Sequence, residues 1–379
     1  MKYEYDTSKF VFTGDTKLLD ALEFVAEAEN DDPESPAILL PGEHSNALKI
    51  GFHMKETAGN EYQGLTLTGA QIAVVATQAS YESDSFDNTY DEGAEYPILV
   101  TTGDELQAIV NNATAPVNIV LTNDITTNNF VIPADKDVTL DLNGCTVTNA
   151  ESHTILNNGH LTLTDSSADK SGQIISLKGN TAALRNGDNA VCVVEGGTIS
   201  RDGANGNTWH TVENFGTMTF NGGKVIADDG KSFAIVNGWN YIPVPGEQKA
   251  TMTINNIEMT AGPNGFKNCA GGTLTMNDGT LHCTGYWGLS NDSTGVATIN
   301  GGKIISDTYI AISDGGAKME INGGTFIAPQ GSLYVQSWAK DTVVKGGSYQ
   351  NETVDFMQKY CPEGYTATLK DDMVVVSKN

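Results

Sequence analysis

Apolar and polar residues alternate along this chain in short runs, and the runs recur. From residue 140 onward one element returns: apolar-x-apolar, a polar residue, a turn usually containing Gly, then another apolar residue. The copies are LDLNGCTV (140–147), CVVEGGTI (192–199), MTFNGGKV (218–225), MTINNIEM (252–259), LTMNDGTL (274–281), ATINGGKI (297–304), MEINGGTF (319–326) and TVVKGGSY (342–349). After Asn255 the polar residue recurs at Asn277, Asn300, Asn322 and Lys345, in steps of 22, 23, 22 and 23 residues. The step from Asn221 to Asn255 is 34, which places an inserted loop near 240–249. A fixed period of this length is the mark of a solenoid, and the alternation inside each copy makes its pieces short strands.

A second column runs in phase with the first. Asn268, Asn291, Asp314 and Ser337 stand 23 apart, preceded by Asn157, Asn186, Asn214 and Asn237. Asn tolerates left-handed backbone and bonds to its own turn, and stacked copies can also bond from coil to coil. Alternation assigns the faces. Two residues before this turn stand Val212, Ile235, Phe266, Leu289, Ile312 and Val335, an inward column. Four before stand His210, Phe233, Asn264, Trp287, Ile310 and Leu333, also read as inward. Two columns are read as outward: Trp209, Ser232, Pro263, Tyr286, Tyr309 and Ser332 at five before, and Thr211, Ala234, Gly265, Gly288, Ala311 and Tyr334 at three before.

The expected fold is therefore all-β: a right-handed parallel β-helix over 96–350, closed by a C-terminal cap at 351–379. Roughly nine coils at about 4.8 Å spacing give a rod on the order of 40 Å long. A helix over about 103–112 would lie across the open first coil, because the end of a solenoid exposes core and strand edges. Residues 1–79 read as a small α+β module, with a helix over 17–29 and strands at 37–40, 47–54 and 65–77. The acidic stretch 80–95 reads as a linker.

Charge narrows the function classes. The chain carries 47 acids against 21 bases, for a net −26, and its only arginines are Arg185 and Arg201. Nucleic acid and anionic membrane are poor partners for such a surface. No run approaches 18 apolar residues, so no inserted helix is expected, and the first residues lack the apolar region of a secretory leader. Cys145, Cys192, Cys269, Cys283 and Cys361 are odd in number and lack metal-ligand spacing, so they read as reduced. Neither metal nor cofactor is expected.

The stretch PVNIVLTNDITTNNFVIPADKDVTLDLNGCTVTN (116–149), with the NGG repeats after it, resembles the pectate-lyase-like β-helix superfamily. The likeness is greatest to its non-enzymatic surface proteins and to phage fibre and spike proteins. Residues 345–379 resemble the closing element of bacterial surface repeats. The resemblance implies a virion structural protein, a head or tail fibre, displayed on the particle surface. Residues 1–95 would then anchor it to capsid or tail proteins, and the shaft would form a homo-oligomer such as a trimer. A bacterial cell-surface adhesin and a polysaccharide lyase or glycoside hydrolase are the alternatives.

Catalytic signatures of that superfamily are not met. Neither arginine lies in its paired-Arg motif, and Gly159-His160 is followed by Leu161 rather than Gly. Asp202, Asp228, Asp229, Glu258 and Asp278 are acids that separate coils could bring together, but no residue is assigned as catalytic. His153 and His210 fall in the inward column and read as buried, hydrogen-bonded groups. The binding candidates are aromatic: Trp209, Tyr286, Tyr309, Tyr334, Trp239 and Tyr241 form a possible platform for a host glycan.

Overall fold

A computed structural model describes residues 11–14, 16–28, 48–63, 65, 67–71, 97–202, 210–227, 232–240 and 244–379. The chain divides into two compact units, Met1–Tyr96 and Pro97–Asn379. In the first, Val11–Gly14 pairs antiparallel with Leu67–Gln71, and Leu22–Ala28 pairs antiparallel with Leu48–Met54. The helix expected over 17–29 does not form. Thr16–Ala21 makes a short 3-10 turn and Leu22–Ala28 is a strand. The segment LEFVAEA also fits a period of two, and pairing with 48–54 decides between the readings. The expected strand at 37–40 and the linker at 80–95 lie outside the described residues.

The second unit is a parallel β-solenoid of about ten turns. Its strands line up in three sheets of 12, 9 and 11 strands. Each strand pairs in parallel with the strands one coil before and one coil after, as Met218 does with Cys192 and Met252. The three sheets enclose one continuous core that runs from Val100 to Val376 and is filled mainly by Ile, Leu, Val, Met and Phe. Three strands per coil and the extra loop after Gly238 match the spacing of the repeat. All five cysteines are free thiols. No helix among the described residues is long and apolar enough to cross a membrane.

Both ends of the core are covered. Helix α1 (Gly103–Asn112) packs Leu106 and Val110 onto the first coil. Thr102 caps it by accepting from Glu105 N, while Glu105 accepts from Thr101 N at 2.9 Å. Gln107 then imitates a strand: its Nε2 donates to Val131 O and its Oε1 accepts from Val131 N, at 2.9 and 2.8 Å. The free edge of the nine-stranded sheet thus has its hydrogen bonds filled by a side chain. At the other end Met373–Lys378 pairs antiparallel with Gly347–Gln350 and ends the parallel run.

Two asparagine ladders run along the shaft in opposite senses. Inside the turn, Asn157, Asn186, Asn214, Asn237, Asn268 and Asn291 each donate Nδ2 to the next side-chain oxygen at 2.7–2.9 Å, ending on Asp314. On the outside, Asn322, Asn300, Asn277, Asn255 and Asn221 donate toward the N-terminus, ending on Glu195. Each chain of amides therefore terminates on a carboxylate, which accepts the last hydrogen bond without owing a donor of its own.

Two column assignments are corrected. Thr211, Ala234, Gly265, Gly288 and Ala311 are buried rather than outward, and Ala234 and Ala311 belong to the core. They occupy a packed coil corner, and at Gly265 a Cβ would lie 2.3 Å from Gly288 O. Conversely, Phe233 and Trp287 pack outside the main core, against Val236 and Cys269. The last coil is also two residues shorter at this edge. Asp314 pairs with Val335, so Ser337 falls outside the ladder and Tyr334 aligns with Ser313, on the outward face.

Candidate aromatic surface

The outward side of the nine-stranded sheet carries one column set by register: Arg185, Glu213, Val236, Lys267, Ser290, Ser313 and Tyr334. Its first half is covered. Arg185 pairs with Glu213 at 2.6 Å, and its guanidinium lies 4.5 Å from the Phe215 ring centre. Trp239 lies over Phe215 at 5.5 Å and is buried with Ala250. Trp239 is therefore packing, not platform, and this corrects its place among the glycan candidates. Trp209 and Tyr241 lie outside the described residues. Lys267 sits 5.3 Å from the Phe233 ring centre and pairs with Asp292 at 3.3 Å.

In the second half Ser290 and Ser313 are buried and Tyr334 is open, and the turns before these strands carry aromatic rings. Tyr286 and Tyr309 stack with ring centres 4.3 Å apart and planes within 6°. A repeated corner builds this stack. Cys283 and Ser306 occupy equivalent positions one coil apart. Cys283 Sγ accepts from Tyr286 N at 3.4 Å, and Ser306 Oγ accepts from Tyr309 N at 3.0 Å while donating to Tyr286 O. Each tyrosine is thus aimed by the same three-residue clasp. The Tyr309 hydroxyl, hydrogen-bonded beside it, holds the Tyr286 phenol above its ordinary pKa. Trp287 leans against Tyr286 at 4.2 Å, and its indole N–H is buried with no acceptor.

One coil further on, Tyr334 is 47% exposed and Trp338 60%. Trp338, which the repeat gave no reason to single out, follows the shortened coil and lies across Gly315, where a Cβ would meet its Nε1 at 2.5 Å. Between the two rings Gln336 donates to Ser313 Oγ at 3.1 Å. Two open aromatic rings and the Gln336 amide make a surface suited to the apolar faces and hydroxyl rims of sugars.

The remaining chemistry candidates do not gather here. Arg201 is not on a loop: it ends the strand Thr198–Arg201, is buried, and donates to the carbonyls of Ser232, Phe233 and Ala227. Glu258 pairs with Lys224 at 3.1 Å on another sheet, and Asp278 accepts from Gly279 N in its own turn. Asp228 and Asp229 lie outside the described residues. His153 accepts from Ala182 N at 2.8 Å, and burial brings its pKa down to about 4. Burial, helped by the charge of Arg201, also brings His210 to about 4. Among the described residues no three His, Cys, Asp or Glu side chains converge as a metal site would require.

Comparison with protein-family models, with curated proteins and with solved structures found no match to this chain.

Proposed function

We propose that this chain is an attachment protein in which a β-solenoid shaft carries a glycan-binding surface, without catalysis of its own. The observation that supports this reading is the open pair Tyr334 and Trp338, 47% and 60% exposed on rigid coils. Large aromatic rings left in water cost free energy unless something covers them, and sugar faces do so while keeping their hydroxyls wet. The stacked Tyr286 and Tyr309 add aromatic area on the two preceding coils.

The setting we propose is a phage particle, as a head or tail fibre anchored through residues 1–95. A repetitive shaft with capped ends suits a part that must hold a binding surface away from its base.

Two measurements test the proposal separately. Affinity electrophoresis of the full chain in gels containing host polysaccharides tests binding: retardation that Trp338→Ala abolishes supports it, and free migration in every gel refutes it. Mass spectrometry of density-banded particles tests the setting. Peptides of this chain recovered with the capsid support the fibre, whereas recovery only from cell envelopes would replace it with a surface adhesin.

A further inference from the structure

The twelve-stranded sheet faces away from the aromatic surface's sheet and has an exterior of its own. Register places its outward side chains in two columns. One reads Thr148, Ile175, Ser200, Ile226, Thr260, His282, Ile305, Ile327. The other reads Thr146, Gln173, Thr198, Lys224, Glu258, Thr280, Lys303, Thr325. Ile226 is 36% exposed, and Ile175, Ile305 and Ile327 are each half-buried. The four isoleucines share this file with Ser200, Thr260 and His282, giving a mixed strip of apolar and small polar side chains like that of an interface.

Charge says what can sit there. The chain carries a net −26, so two copies repel over most of their surfaces. On these two columns the charged residues are Lys224, Glu258 and Lys303, a net of +1, and His282 adds a pair with Asp307 at 2.9 Å. These two columns can meet their own copy without that repulsion.

The order of the residues fixes the arrangement. If two shafts meet antiparallel about a point between Ile226 and Thr260, Ile175 of one copy faces Ile305 of the other, and Thr148 faces Ile327. Lys224 of each copy then faces Glu258 of the other. A parallel arrangement would lay each isoleucine file over the other copy's charged column and lose both matches. The ten parallel strands of this sheet span about 48 Å at strand spacing, and roughly 13 Å of width gives about 600 Å² per copy. Two copies bury about 1,200 Å², the lower edge of what specific dimers need.

We infer that this chain forms an antiparallel homodimer through the isoleucine file of its twelve-stranded sheet. Tyr334, on the nine-stranded sheet, stays free of this contact.

Sedimentation equilibrium of the full chain at micromolar concentration is the test. The expected mass is twice the 40.2 kDa of one chain. Ile305→Glu should give a monomer with an unchanged thermal melt, because the side chain points away from the core. Lys224→Glu should raise the dimer dissociation constant about tenfold by setting acid against acid. Adding Glu258→Lys to it should restore the dimer, since each pair is then only reversed. Trp338→Ala should remain a dimer. A monomeric wild type, a trimer, or a dimer indifferent to Ile305→Glu would each overturn the inference.

Discussion

Asn291 donates its side-chain amide to the Asp314 carboxylate at 2.9 Å, and there the internal ladder stops. Asp314 also accepts from Gly316 N and, through its second oxygen, from Thr342 Oγ1. The next residue in register is Val335, which offers nothing to bond. An asparagine at 314 would give up the charge and, with Val335 next in register, would find no side-chain amide oxygen to carry the ladder on. The charged end therefore suits a ladder whose amides all point one way.

Each internal amide is committed to several acceptors, so the ladder should be intolerant of a reversed donor. Asn268 Nδ2 serves Asn291 Oδ1, Val296 O and Gly272 O. Asn268→Asp puts a buried anion against three oxygens and should cost about 3–5 kcal/mol. Asn268→Ala leaves only unmet groups, about 1–3 kcal/mol, and Asp314→Asn should cost least. Thermal melts followed by circular dichroism should rank the three in that order; equal melts would mean the ladder is not a source of stability.

The coil corner makes a second, steric prediction. Gly265→Ala sets a methyl 2.3 Å from Gly288 O and 2.8 Å from Trp287 O, both backbone atoms that cannot step aside. It should lower stability by about 2–3 kcal/mol. Gly246→Ala, at φ +60 with nothing within 4 Å, should cost only the backbone strain, about 1 kcal/mol. Side-by-side melts check the difference.

Acid should weaken the shaft through its buried imidazoles. His153 and His210 titrate near 4 when folded, against 6.5 for the free side chain. Between those values the unfolded chain binds more protons, so stability falls as pH drops through that window and is level for these groups below it. For the more buried His210 the full loss is about 3 kcal/mol. His210→Phe should flatten the melting temperature between pH 7 and pH 4. A profile as steep as wild type would place the pH dependence elsewhere.

These outcomes bear on what the sequence could disclose. The coil period, the inward column from Val212 to Ile312 and the ladder from Asn157 to Asp314 were legible, because each coil repeats the same backbone and only a few side chains satisfy it. The corner was not. Gly288 and Ala311 look like small residues beside aromatics on an open face, and alternation assigns them there. The chain bends at that point, and alternation holds only along straight strands. A small residue in every coil was the signal that could have marked a packed corner. Trp338 was missed for a related reason: the last coil drops two residues, which moves Val335 into the ladder position and carries the following tryptophan onto the surface.

The aromatic surface predicts a separation between binding and stability that packing alone cannot imitate. Trp338→Ala removes an exposed ring, so the melt should hold while glycan affinity falls several-fold, in keeping with about 0.5–1.5 kcal/mol for one aromatic contact. Tyr309→Ala also removes a stacking partner 4.3 Å from Tyr286, so both affinity and stability should drop. Trp287→Phe is the control for packing behind the surface. It deletes a buried N–H that has no acceptor, so the free protein should hold its stability or gain a little. The enclosed N–H does not reach a ligand, so glycan affinity should hold. Isothermal titration with a bound oligosaccharide, alongside melts of the three variants, distinguishes the cases. If Trp287→Phe weakened binding, recognition would reach behind the surface and would not rest on Tyr334 and Trp338 alone.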